Sequence, residues 1–243
     1  MPVQIQLSGP QRTPVSLAMG CLPMFLFLIL MCLLPVFLYD TARAILTKLG
    51  LSPQGAGLTV LAIFFGSLIN IPVHQIVRDE LQPDVRFGPI GRYFERDYRR
   101  VYSRTLIAVN VGGCVIPVLL AVQQMLRVAQ FGDNAIFGTL IVSALSIGVC
   151  YLIARPVQGI GIMMPGLIPP LVCVLSAWIL MPSAPPEQRT AAAFIGGVLG
   201  PLIGADLLHL KDIAKTPVGI MSIGGAGTFD GIILSGMLAA LLS

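Results

Sequence analysis

The chain has 243 residues, of which 56% are hydrophobic and 11% charged, and its formal net charge is +4. That is more apolar surface than a soluble domain of this size can bury, so the composition excludes a water-soluble globule and makes lipid the solvent. No GxxxxGK, HExxH, GxSxG or GxGxxG element stands in the context those motifs need, which argues against nucleotide-driven transport within this chain.

Apolar stretches of about 20 residues, enough to cross the hydrocarbon, occur at 16–39, 56–77, 105–126, 135–154, 157–182, 190–210 and 217–242. The expected fold is therefore an all-α, polytopic membrane bundle of about seven segments forming one domain over 1–243, with some segments broken or re-entrant. The first segment is read as a retained anchor, with a signal peptide cleaved near Ala42-Arg43-Ala44 as the alternative. All five cysteines lie in apolar stretches, where they pack as small apolar residues; no CxxC or Cys/His spacing suggests zinc, and neither metal nor cofactor is expected.

Segment two carries Asn70-Ile71-Pro72-Val73-His74, which an uninterrupted helix would avoid. Between segments two and three lies the one sizeable hydrophilic stretch, 78–104, with RYFERDYRRVYSR near its end. At helical spacing Phe94, Tyr98 and Val101 share a face, and Arg92, Arg96 and Arg99 lie opposite. This predicts an amphipathic helix on the cytoplasmic membrane surface, its arginines near lipid phosphates. Five acids interspersed in the same stretch argue against nucleic acid as a partner.

Counting Lys and Arg on alternate sides gives eleven on the side of the N-terminus and 78–104, and four (Arg43, Lys48, Arg127, Arg189) on the other. The positive-inside rule then places the N-terminus in the cytoplasm and the C-terminus outside, in the plasma membrane of a prokaryote. Segment five contains Gly159-Ile160-Gly161, Pro165-Gly166 and Pro169-Pro170. Non-helical backbone at membrane depth is tolerated where protein or a water-filled cavity satisfies it, and such breaks mark binding sites in transporters. Residues 153–160 also echo 213–220, as a duplicated hairpin would.

Residues 190–243 form the candidate functional hairpin. Gly196, Gly200 and Gly204 make one small-residue stripe, and Gly227, Gly231, Ser235 and Ala239 make a second. Such stripes let helix backbones approach closely, and the two are expected to face each other. That pairing would turn Asp206 away from segment seven. Asp206 and Asp230 are the two acids inside long apolar segments, where an unpaired carboxylate is costly and hence a functional candidate. Structural roles are the alternative: Asp230 as a first-turn acid behind Thr228, Asp206 paired with His209 or Lys211. Asp206 and His209, with His74 and Asp230, also have the residue types for a metal or proton relay.

The runs GADLLHLKDI and GGAGTFDGIILSGMLAALL resemble the prokaryotic membrane family known as domain of unknown function 1614, over most of the chain. A remoter likeness is to intramembrane aspartyl proteases of the presenilin and prepilin-peptidase group. Gly225-Ala226-Gly227 stands where those carry Gly-x-Gly before the second aspartate, with Thr228-Phe229 inserted ahead of Asp230; the Pro-Ala-Leu that follows the second aspartate in presenilins is absent, and Pro165-Gly166-Leu167, a weak substitute, precedes Asp230. This resemblance implies Asp206 and Asp230 as the catalytic pair, one activating water and the other polarising a peptide carbonyl. A membrane-embedded peptide would be the substrate. The alternative is an ion- or proton-coupled transporter or channel, with Asn70, His74 and the aspartates lining a polar route to a small solute or ion. A non-catalytic scaffold is the third reading. Four glycines and β-branched Val218, Ile220 and Ile223 predict non-helical backbone within 217–227.

Overall fold

A computed structural model of the chain describes residues 14–85, 96–157, 161–213, 220–225 and 231–243. The chain divides into Met1–Ala42 and Arg43–Ser243. The described part of the first unit belongs to helix α1 (Pro14–Lys48), which is lipid-like in composition and exposed from Pro23 to Leu38.

The second unit opens on the end of α1, closed by a glycine stop. Gly50 takes φ +81°, Leu51 donates to the Leu46 carbonyl at 3.1 Å, and Gly50 donates to Thr47 at 2.8 Å. These bonds satisfy carbonyls that a helix end leaves open. Helix α2 (Pro53–Gly66) starts with Ser52 as cap, its hydroxyl accepting from the Gly55 amide at 3.1 Å, and Pro53 at the first position where no N–H is missed. Strands β1 (Asn70–Val85) and β2 (Arg96–Asn110) then pair antiparallel, with a bulge between Pro72 and His74. A π-helical turn, Val111–Val115, leads into α3 (Ile116–Val128). Helix α4 (Asp133–Ile153) follows, then the short hairpin β3 (Arg155–Val157) and β4 (Gly161–Met163), then α5 (Ile168–Leu180).

Helix α6 (Pro186–Leu199) continues as a π-helix, Gly200–Leu207, and a short turn α7 (Leu210–Ile213) follows. Pro201 has no N–H to donate and its ring crowds the carbonyl four residues back, so the run widens there instead of continuing as α-helix. Strand β5 (Ile220–Ile223) pairs parallel with Leu106–Val109 of β2, and α8 (Gly231–Leu242) ends the chain. Helix α6 is buried on nearly every side from Thr190 to Val198, and α3, α4, α5 and α8 pack around it. Val142, Cys173, Ala177, Ala193 and Ala239 form a fully buried cluster in that core.

Four helices, Pro23–Lys48, Val111–Phe131, Asp133–Ile153 and Pro186–Leu207, are long and apolar enough to cross a membrane. Three more, α2, α5 and α8, are apolar but shorter. At about 1.5 Å per residue they reach roughly 18–21 Å, short of the ~30 Å of hydrocarbon. Each shorter helix belongs to a segment expected to be broken or in doubt as a simple helix, and α2 and α5 lie a few residues from strands β1 and β4.

Three expectations need correction. The fold is mostly helical, as expected, but not purely so: five strands are present among the described residues. Residues 78–85 and 96–104 are ribbon strands where an amphipathic surface helix was expected; 86–95, with Arg92 and Phe94, lie outside the described residues. The Tyr, Val, Thr and Ile content of β2 favours a strand once a partner 16 residues long is paired with it. The two small-residue stripes do not face each other either. A Cβ on Gly196 would meet Cys173, Val142 and Ser143, and one on Gly200 or Gly204 would overlap Ser146 or the Ile147 carbonyl, so the first stripe packs mainly on α4. Gly197 is the residue that meets α8, where a Cβ would lie 2.9 Å from the Gly236 Cα.

Candidate functional site

Polar side chains gather where three segments lose their helical form. Asn110 ends β2, is 1% exposed, and caps the π-helical turn by accepting from the Gly113 amide at 2.8 Å. Its Nδ2 donates to the Ser67 carbonyl at 2.7 Å and to Asn70 Oδ1 at 3.1 Å. The Ser222 hydroxyl donates to the same Asn70 Oδ1 at 2.5 Å, so that oxygen receives one bond from β2 and one from β5. Glycines permit the approach. A Cβ on Gly112 would overlap the backbone of Ile63 and Ser67, and Gly224, at φ +71°, lies against Gly113 and Cys114. Gly225 donates to the Ser222 carbonyl at 3.3 Å, and a Cβ there would be 3.1 Å from Asn70 Oδ1. The ends of α2 and β2 and the strand before α8 are thus tied at one polar centre.

Asn70 and Gly225, both expected at the site, are brought together here. Asn110 and Ser222 complete the centre and were not anticipated. The signal for Asn110 was present: an asparagine just before Val111-Gly112-Gly113 and an apolar run is a helix-start residue. Ser222 had no such signal. His74 sits just past the bulge, exposed, opposite Ile107.

Asp206 lies half-buried in the π-helical stretch. His209 is buried, with its ring 4.9 Å from that of Tyr151. Its Nδ1 faces two carbonyls, Ala205 at 3.0 Å and Gly204 at 3.2 Å. Carbonyls only accept, so Nδ1 carries the proton and Nε2 holds the free lone pair in the neutral ring. Among the described residues, no group of three or more His, Cys, Asp or Glu is placed to hold a metal ion. Gly227, Thr228 and Asp230 lie outside the described residues.

The level of Asp206 relative to α8 follows from the Gly197–Gly236 crossing. Helices α6 and α8 are antiparallel: Glu187 and Lys48 line one cavity of about 200 Å³, and Lys48 Nζ donates to the Ala240 carbonyl at 2.9 Å. From the crossing, Gly231 is five residues toward the other end and Asp206 nine, roughly 7 Å and 11–13 Å along the axes. The start of α8 therefore comes within about 4–6 Å of the level of Asp206 on that scale, and α8 touches the π-helical stretch.

The apolar helices and buried small-residue core define a helical membrane protein. Residues 64–242 match the family model described as "Protein of unknown function (DUF1614)", and the chain belongs to that family. No curated protein and no solved structure matches it.

Proposed function

We propose that the protein moves a small polar solute or ion across the membrane, with the centre formed by Asn70, Asn110 and Ser222 on its route. The observation that carries this reading is the meeting of interrupted segments two, three and seven at one hydrogen-bonded cluster. Broken segments whose freed polar groups converge are how transporters build a site in a medium that solvates none of them. In this reading the cytoplasmic N-terminus and external C-terminus follow from the eleven-to-four basic imbalance. The test uses Asn70→Cys and Ser222→Cys in a background without the five native cysteines. A charged, membrane-impermeant thiol reagent should modify both positions in intact membranes. Protection of both from either side would end the reading.

A second reading, an aspartyl-protease-like pair of Asp206 and Asp230, is supported by the level of Asp206 relative to the start of α8. It requires both carboxyl groups to reach one water. Asp206→Cys with Asp230→Cys should then cross-link under mild oxidation. Each Asp→Asn variant should also lose cleavage of a membrane-embedded peptide. No cross-link and no cleavage would dismiss this reading; with thiol protection as well, a scaffold role is what stands.

A further inference from the structure

The cavity of about 200 Å³ beside the end of α1 carries charge of both signs. Arg127 comes to it from the last turn of Val111–Phe131 and Glu187 from the first turn of Pro186–Leu207, while Lys48 is the final residue of α1. In a bilayer the ends of spanning helices stand at headgroup level, and the cavity stands there with them. It is separate from the Asn70, Asn110 and Ser222 centre. Asn110 and Arg127 flank opposite ends of one helix, roughly 25 Å apart along its axis.

Both cations are anchored by backbone carbonyls, which hold them in place without neutralising them. Lys48 Nζ donates to the Ala240 carbonyl at 2.9 Å. Arg127 Nη1 donates to the Leu49 carbonyl, which also accepts from Gln124 Nε2 at 3.0 Å. Gln124 is 1% exposed, so this anchor is built from the interior. Gly50 admits the guanidinium, since a Cβ there would overlap it. Ammonium and guanidinium each keep further N–H donors. Glu187 is exposed, and among the described residues no ion pair joins it to either cation.

A ligand of one charge sign fits this arrangement poorly: an anion alone would meet Glu187, and a cation alone would meet Lys48 and Arg127. A group that carries phosphate and ammonium a few atoms apart satisfies all three side chains. The cavity is also smaller than the roughly 300–1,000 Å³ of sites for drug-sized ligands, which suits a polar headgroup. We propose that it binds a phosphoethanolamine group, presented by a phospholipid of the surrounding bilayer or by a small soluble ester. The phosphate lies between Lys48 and Arg127, and the ammonium lies on Glu187. Guanidinium matches phosphate oxygens with paired donors, and lysine adds a point charge. A primary ammonium donates hydrogen bonds to a carboxylate, which the methyl groups of choline cannot do, so the site selects ethanolamine over choline.

The full chain in detergent micelles is titrated with phosphatidylethanolamine, phosphatidylcholine and phosphatidylglycerol of the same acyl chains, and native mass spectrometry measures the lipid retained. Phosphatidylethanolamine should bind about tenfold more tightly than either of the others, the effect of one charge-assisted hydrogen bond. Arg127→Gln and Lys48→Gln should each weaken it about tenfold. Glu187→Gln should abolish the preference and bind phosphatidylglycerol more tightly than the unaltered chain does, a reversal that a purely structural role would not produce. Unfolding by SDS, followed through Trp178, reports whether Arg127→Gln folds. If it does not, the exposed Glu187 position decides alone. Soluble phosphoethanolamine is added as competitor: displacement of the lipid at equal free concentration assigns the group to a soluble ester, and retention of the lipid assigns it to the bilayer. Equal retention of the three lipids overturns the proposal. So does tightest binding of phosphatidylglycerol by the unaltered chain, or a preference for phosphatidylethanolamine that survives Glu187→Gln.

Discussion

Replacing Asn110 by Ala removes three hydrogen bonds at once, and the structure gives each a magnitude. The bond from the Gly113 amide is a helix cap, worth about 1 kcal/mol. The bonds to the Ser67 carbonyl and to Asn70 Oδ1 contribute about 1 kcal/mol each. The side chain is 1% exposed, so water does not replace them, and the expected loss is about 3 kcal/mol. Asn110→Asp keeps the acceptor for Gly113 but turns a carboxylate oxygen toward two acceptors, so it should be no more stable than the alanine variant. Asn70→Ala should cost less, because Asn110 Nδ2 keeps Ser67. Unfolding by SDS in mixed micelles, followed through the single tryptophan, Trp178, measures all three. The double variant Asn70→Ala with Asn110→Ala closes a cycle whose coupling should fall between about 0.5 and 3 kcal/mol. A loss below about 0.5 kcal/mol for Asn110→Ala, the size of an ordinary surface change, would mean that the centre does not hold these segments together.

The same unfolding assay checks the helix contacts. Gly204→Ala, whose Cβ would overlap the Ile147 carbonyl, should destabilise by about 1–3 kcal/mol, whereas Gly148→Ala, with open space around it, should be neutral or gain up to about 1 kcal/mol in helix propensity. Equal effects would deny the α4–α6 packing. Gly50→Ala must hold a left-handed backbone and push aside the Arg127 guanidinium, at a cost of at least about 1–2 kcal/mol. Arg127→Gln should make that substitution cheaper, read as a positive coupling between the two sites. Lys48→Ala should fray the end of α8, whose Ala240 carbonyl it caps, and raise amide exchange at 240–243 without changing exchange in α6.

The apolar stretches were legible because hydropathy follows directly from the solvent, and each overlaps an apolar helix among the described residues, four of which are of spanning length. The breaks were legible too, since Pro72 and Pro165 are incompatible with helix interior and β-branched residues cluster around Ile220–Ile223. What those breaks become was not. Strand β2 pairs Asn70 with Asn110 and Leu106 with Ile220, partners far apart in sequence, and no local window contains them. The stretch RYFERDYRRVYSR also fits two periods, Phe94/Tyr98/Val101 for a helix and Tyr98/Tyr102 for a strand, and long-range pairing decided between them. The glycine stripe failed for a related reason. Four-residue spacing says that something packs closely, not what, and Thr139, Ser143, Ser146 and Cys150 on α4 form an equally suitable row of small residues.

That mispairing had carried a second conclusion with it. If the stripe of Gly196, Gly200 and Gly204 met segment seven, Asp206 would point away from it, and a site shared with Asp230 would be disfavoured. With the stripe against α4 and Gly197 against Gly236, the premise fails. Residues 200–207 are also π-helical and turn by less per residue than an α-helix, which shifts the direction of Asp206 relative to Gly204. Pro201 is the residue that forces the change. It widens the helix one turn before Asp206, at a level close to the start of α8. Both proposed readings need a hydrated or partnered carboxylate there, and α8, at 12 residues, is too short to cross the hydrocarbon by itself.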